Sequence, residues 1–319
     1  MKYLGDEVVR KALNYNVLVD RLRQGFGEGK VITPMRSHFD FEGAPGERDS
    51  TLLLMPSWLP GKSVGVKIVT VSPANASLNL PSIHGVYVFF DAQTGECKYI
   101  FDARAVTVKR TAATSALASS YLSREDSRVL LMMGTGALSP ELIKAHASVR
   151  PIEKVLVWGR DIEKAKTVCK TLSSENFSIE PVNDLKEACK KADIISCATL
   201  SKTPLLIGEF VQEGQHIDLV GAYRPDMREA DNGVIQRARI FVDHYAGALK
   251  ECGELLIPLQ EKIIERSHVL AELSELCSSK KTGRNTKTEI TLFKSVGHAM
   301  EDLMAAQIIA EFIANENQE

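Results

Sequence analysis

The sequence has almost no net charge, since 39 Lys and Arg stand against 41 Asp and Glu. Without a bulk field of either sign, nothing draws the chain to nucleic acid or to an anionic membrane surface, and small-molecule partners are favoured. Long apolar runs are also missing. No stretch approaches the ~20 residues that would cross a bilayer, and the opening "MKYLGDEVVRKAL" carries too much charge for a secretory signal. The six cysteines, Cys97, Cys169, Cys189, Cys197, Cys252 and Cys277, form neither a CxxC pair nor a zinc-type Cys/His spacing, and the seven histidines show no HxxxH. Reduced thiols in a cytoplasmic protein without a structural metal are the expectation. Internal repeats and low-complexity segments are absent too, which excludes a solenoid.

What is present is a 319-residue chain, 44% hydrophobic, too long for one ordinary core. Between about Ser127 and Val242, short β-branched runs alternate with polar-faced helical stretches, the pattern of βαβ units around a parallel sheet. Strands are expected at 128–133, 154–159, 193–199, 215–222 and 238–244, with helices at 140–149, 162–174 and 184–192. The first ~120 residues instead hold long alternating runs, "SVGVKIVTVS" and "GVYVFFDAQTGECKYIFD", joined by glycine-containing turns, which predict an antiparallel sheet. Near the end "SVGHAMEDLMAAQIIAEFIAN" has helical apolar spacing and needs a partner for that face, which the N-terminal domain would supply. Cys277 to Glu289 reads as a polar loop between the two regions. The fold class is therefore α/β: a Rossmann-type doubly wound domain over 123–292, and an α+β substrate and dimerisation domain over 1–122 and 293–319.

The chemistry starts at "VLLMMGTGALSPELIKAH", where Gly134 and Gly136 follow a strand at the mouth of a helix. Glycines there allow a tight turn and let a pyrophosphate approach the helix N-terminus, where unpaired N–H groups and the helix dipole favour an anion. Ser139 stands where the fingerprint has its third glycine. The second strand ends "VWGRDIEKA", at the place where such domains read the adenosine ribose. Arg160 can pair with a 2′-phosphate, which favours NADPH, while Asp161 keeps NADH open.

Taken in order, "TPMRSH", "LLLMPSW", "VGVKIVT", "LPSIHGVYV", "AVTVKRTAATSALAS", "MMGTGA", "VGAYRPDMRE" and "FKSVGHAMED" make nearly the whole chain resemble the ornithine cyclodeaminase and mu-crystallin family. That resemblance implies a homodimer, a nicotinamide cofactor, and a substrate carboxylate held by Arg36, Lys67 and Arg110. An arginine fork and a lysine suit that task, because a planar carboxylate takes the first bidentately and is neutralised by the second. The resemblance also implies cofactor contacts at Thr111, Gly134, Gly136, Ala137, Val220, Gly221, Ala222, Val296 and Gly297.

Within such a family, "GAYRPDMRE" places Tyr223 where cyclodeaminases and alanine dehydrogenases have an aspartate. A phenol of ordinary pKa about 10 is no substitute for that base near neutral pH. Asp218, inside a strand, and Asp226, beyond a proline, are the neighbouring alternatives. The "RPDMRE" form is similar to the mu-crystallin and Δ1-pyrroline-2-carboxylate reductase branch. The expectation is hydride transfer from NADPH, or from NADH, to C2 of a cyclic ketimine, giving proline or pipecolate. Lys67 is the catalytic candidate, holding the carboxylate and supplying a proton, with Tyr223 and His84 shaping the pocket. Ornithine deamination, an alanine-type dehydrogenase, and a non-catalytic ligand-binding protein of mu-crystallin type are the alternatives.

Overall fold

The computed structural model of the chain describes residues 1–42, 50–72, 75, 78, 80, 81 and 83–317. From the N-terminus run β1 (Lys2–Leu4), α1 (Asp6–Ala12), α2 (Tyr15–Glu28), β2 (Ser37–Phe41), β3 (Ser50–Leu59), β4 (Ser63–Val71), β5 (Ile83–Asp91), β6 (Cys97–Asp102) and α3 (Ala103–Leu122). The middle continues with β7 (Val129–Met133), α4 (Ser139–Val149), β8 (Lys154–Trp158), α5 (Ile162–Thr171), β9 (Ser178–Val182), α6 (Leu185–Lys191), β10 (Ile194–Cys197) and β11 (His216–Leu219). It ends with α7 (Asn232–Arg237), β12 (Arg239–Val242), α8 (Tyr245–Glu251), α9 (Gly253–Gln260), β13 (Val269–Glu272), α10 (Leu273–Cys277), β14 (Thr291–Lys294) and α11 (Ala299–Glu316). Contacts divide these into two compact units, 1–111 with 298–319, and 112–297.

In the first unit six strands lie in the order β1-β6-β5-β4-β3-β2. All neighbours are antiparallel except β1, which adds to β6 in parallel, so the expected antiparallel sheet is mixed at one edge. Alternation sets what each face does: in β4, Ser63, Gly65, Lys67 and Val69 are buried while the residues between them are half-exposed. The buried face is covered by α11, which lies on β3 and β4 and packs against α2. Helix α2 supplies Leu18, Val19, Leu22 and Phe26 at helical spacing, begins with the Asn14 side chain accepting from Asn16 N–H, and ends at Gly29 with φ 60°.

The second unit is an eight-stranded parallel sheet in the order β13-β12-β14-β11-β10-β7-β8-β9. Its inner strands read as continuous apolar runs because both faces are covered, as in "VLLMM". Several elements went unread in the sequence, three of them for plain physical reasons. Helix α3 is rich in Ala, Ser and Thr without an apolar stripe, β9 is an edge strand that carries Pro181, and β14 has only four residues. Strand β14 pairs with both β11 and β12, so the boundary expected at 292/293 would cut a sheet strand. For the same reason the polar segment after Cys277 connects α10 to β14 inside this unit rather than lying between two regions.

Candidate active site

In the first unit the buried face of the sheet carries a row in register, Met55 on β3, Lys67 on β4, Tyr87 on β5 and Phe101 on β6. All four are buried. The first turn of α11 meets this row with two adjacent carboxylates. Lys67 Nζ donates to Asp302 Oδ1 at 3.0 Å and stands 2.9 Å from Oδ2. Arg110 donates from Nε to the same Oδ1 at 3.0 Å and from Nη1 to Glu301 Oε2 at 2.5 Å. Burial pulls the Lys67 ammonium from 10.5 down to about 8, the Arg110 charge adds to that, and Asp302 opposes it.

The structure thus brings Lys67 and Arg110 together, and adds Glu301 and Asp302, which sequence reasoning missed. The signal was legible in principle. An acidic pair sits in the buried part of an otherwise apolar helix, and buried carboxylates require cations. Two cations facing two carboxylates leave this cluster formally neutral. Arg36 is half-buried and comes just before β2, whose Ser37 pairs with Leu54 on β3. His84 does not join the group. It is exposed and three residues from Tyr87, so strand alternation turns it to the opposite face of the sheet from Lys67. Thr111 is buried on α3 directly after Arg110.

The second unit carries the glycine loop. Gly134, at φ +123°, leaves no room for a side chain, since a Cβ there would lie 2.6 Å from the Ala198 carbonyl oxygen. Its N–H donates to Trp158 O at 2.9 Å, and its carbonyl accepts from Ser139 Oγ at 2.9 Å. Ser139, in the third-glycine place, is therefore a buried brace for the loop. Gly136 and Ala137 are exposed, with open space above Gly136, at the start of α4. Strand β7 lies between β8 and β10, the point where strand order reverses, and a doubly wound sheet binds ligands there, at the carboxyl ends of its strands. A bare glycine, an open approach and a helix N-terminus fit a dinucleotide pyrophosphate. Arg160 is exposed just past β8, while Asp161 caps α5 by accepting from Glu163 N–H at 3.0 Å.

The remaining expected cofactor residues lie at the ends of β11 and β14, and two buried carboxylates organise them. Glu229 accepts from Thr199 N–H and Oγ1 at 2.6 and 2.8 Å, from Gly221 N–H at 2.7 Å and from Ala222 N–H at 3.3 Å. Burial pushes Glu229 up to about 7, with Lys294 pulling it down and Glu254 pushing it further up. Asp243 Oδ2 accepts from Val296 and Gly297 N–H, both at 2.6 Å. Burial would raise the Asp243 carboxyl, but His244 and those two N–H groups outweigh it and hold it well below its ordinary value. The amides of Gly221, Ala222, Val296 and Gly297 are thus committed within the unit, and Val220 N–H goes to Cys197 O at 2.9 Å. Such residues shape the loops rather than offer donors. Sequence reasoning passed over Glu229 and Asp243 because each reads as one more surface charge beside a turn.

Tyr223 is half-buried after Ala222. Both neighbouring aspartates are engaged by other side chains. Asp218 is buried and accepts from Ser115 Oγ at 2.9 Å, Ser196 Oγ at 2.7 Å and His146 Nε2 at 3.1 Å. Asp226 is exposed, and Lys202 and then Arg224 hold its carboxyl below the ordinary value. Among the described residues no group of three His, Cys, Asp or Glu is placed to hold a metal, and no helix is long and apolar enough to cross a membrane.

The sequence pattern of the ornithine cyclodeaminase/mu-crystallin family is matched over residues 8–317. A Δ1-pyrroline-2-carboxylate reductase of Colwellia psychrerythraea is 39% identical over 321 residues, 99% of this chain and 100% of the relative. The structure of Thermococcus litoralis Δ1-pyrroline-2-carboxylate reductase, in complex with NADH and L-proline, superposes with a TM-score of 0.94 at 32% identity, covering 99% of this chain and 98% of that one. An archaeal alanine dehydrogenase dimer with bound NAD gives a TM-score of 0.91 at 27% identity, covering 99% and 96%.

Proposed function

The chain belongs to the ornithine cyclodeaminase/mu-crystallin family, and from that membership we propose that it reduces a cyclic ketimine, Δ1-pyrroline-2-carboxylate or its six-membered homologue, to proline or pipecolate. The observation that carries this reading is the buried Lys67 amine, ion-paired to Asp302 beside Arg110 and brought down to about 8. Such a group is protonated at neutral pH and gives up a proton more readily than an exposed lysine. Arg36, Lys67 and Arg110 orient the substrate carboxylate, and Lys67 delivers the proton that balances the charge at nitrogen as C2 is reduced. A reduced nicotinamide, when bound, supplies the hydride. A cyclic imine already contains its nitrogen, so no ammonia and no base at position 223 are required. The similarity to reductases that carry this name supports the same reading.

NADPH is the proposed cofactor, because Arg160 stands exposed after the second strand while Asp161 is engaged in capping α5. NADH, held by the Thermococcus relative, is the alternative. A homodimer is proposed from the second face of the six-stranded sheet, where Leu54, Trp58, Val66, Ile68, Val88 and Phe90 are half-exposed side by side. A cytoplasmic location goes with this reading.

The test is NAD(P)H oxidation by the purified protein with each cyclic ketimine and with pyruvate plus ammonia. Ketimine turnover at least tenfold above that with pyruvate plus ammonia is expected. The reverse ranking identifies an alanine-type dehydrogenase, and no turnover with any of them identifies a binding protein.

A further inference from the structure

We propose that Asp302 is a positioning residue that keeps Lys67 protonated and aligned with Arg110, whereas the adjacent Glu301 acts chiefly on Arg110. This rests on the reading of Lys67 given above and goes beyond it, because it divides two neighbouring carboxylates by task. The geometry is asymmetric. Asp302 Oδ1 is shared between Lys67 Nζ and Arg110 Nε, both at 3.0 Å, and Oδ2 faces Lys67 at 2.9 Å. Glu301 makes its ion pair with Arg110.

The first turn of α11 is fixed independently of these charges. Ser57 Oγ donates to Ala299 O at 2.9 Å, Thr33 Oγ1 lies 3.0 Å from His298 Nε2, and the His298 ring stacks on Phe26 at 6.1 Å. Both carboxylates are therefore delivered to set positions rather than drawn in by the cations. The groups that face Lys67 are Arg110 from α3, Asp302 and Glu301 from α11, and the buried Tyr87 phenol beside it on β5. Burial and Arg110 both disfavour the ammonium form, and Asp302 is the larger of the two opposing contributions. Removing its charge tips that balance toward the neutral amine, while removing the Glu301 charge leaves the closer counter-ion in place.

The experiment follows lysine ε-13C shifts against pH by NMR in the labelled full-length protein, with Lys67 assigned by the signal lost in Lys67→Met, alongside kcat/KM profiles for the ketimine. In Asp302→Asn the Lys67 midpoint near 8 should move down by roughly 1–2 pH units, and the alkaline limb of kcat/KM should move with it. Glu301→Gln should raise KM for the ketimine and lower both midpoints by clearly less than Asp302→Asn does. Equal midpoints in wild type and Asp302→Asn, or an equal shift in Glu301→Gln, overturn the proposal. If Asp302→Asn does not fold, Asp302→Glu retains the charge on a longer arm. It should hold the midpoint within roughly half a pH unit while lowering kcat, and a larger midpoint shift overturns the proposal. The NMR titration needs no turnover, so a protein that reduces no ketimine would refute the reading of function while the titration still decides the role of Asp302.

Discussion

At the scale of single residues, the proposed substrate-binding cations stand out in the sequence more than the carboxylates that meet Lys67 and Arg110. Lys67, Arg36 and Arg110 stand in motifs whose order along the chain marks the family, whereas which cations Glu301 and Asp302 meet is settled only by α11 lying on β4. His84 shows the converse: it lies in a motif, yet strand parity takes it away from Lys67. The Lys67 ammonium, brought down to about 8, gives a pH prediction whose sign follows from its role. A proton donor must be protonated, so kcat/KM for the ketimine should hold below pH 8 and fall above it, and Lys67→Met should abolish turnover at every pH. A profile flat to pH 10 would show that Lys67 gives no proton. Tyr223 gives the second prediction at this scale. Asp218 is consumed by three donors and Asp226 by two cations, so ornithine should yield no ammonia with catalytic NAD. Ammonia release at a rate comparable to ketimine reduction would mean that another group supplies the base.

At the scale of elements, the glycine loop was readable because strand, turn and helix each leave their own mark on the sequence, while the pieces that hold it were not. Ser139 bracing Gly134, and Glu229 joining the loops after β10 and β11, act between segments distant in the chain. Gly134 is the sharpest test of this loop. An alanine there meets both a left-handed φ and the Ala198 carbonyl, which is backbone and cannot swing aside. Gly134→Ala should cost roughly 1–3 kcal/mol, read from the urea midpoint, and should weaken cofactor binding. Unchanged stability would mean that the loop has a second conformation. Arg160, exposed at the end of β8, tests cofactor choice. An ion pair to a 2′-phosphate contributes on the order of 1–3 kcal/mol, so Arg160→Ala should raise KM for NADPH about tenfold or more and leave KM for NADH nearly unchanged. An unaltered ratio of the two constants would remove Arg160 from phosphate recognition.

At the scale of the whole molecule, the two-domain organisation followed from a change in hydrophobic period, two in the first ~120 residues and mixed αβ afterwards. What the period cannot disclose is which face of an alternating strand another chain covers. In the first unit one set of alternate residues lies under α11, while the other presents Val66 and its neighbours half-exposed. An apolar sheet face of that breadth has a standing tendency to pair with its own copy, since a two-fold axis lets one patch cover the other. Sedimentation at micromolar concentration should therefore give a species of about 70 kDa, twice the 35.1 kDa chain. Val66→Lys places a charge at the centre of the face, where in a monomer the ammonium can reach water along its stem. It should yield a folded species near the chain mass of 35.1 kDa with the wild-type circular dichroism spectrum. If wild type sediments as a monomer, the face is solvated and the homodimer is wrong. If Val66→Lys stays dimeric, the chains associate through a different surface.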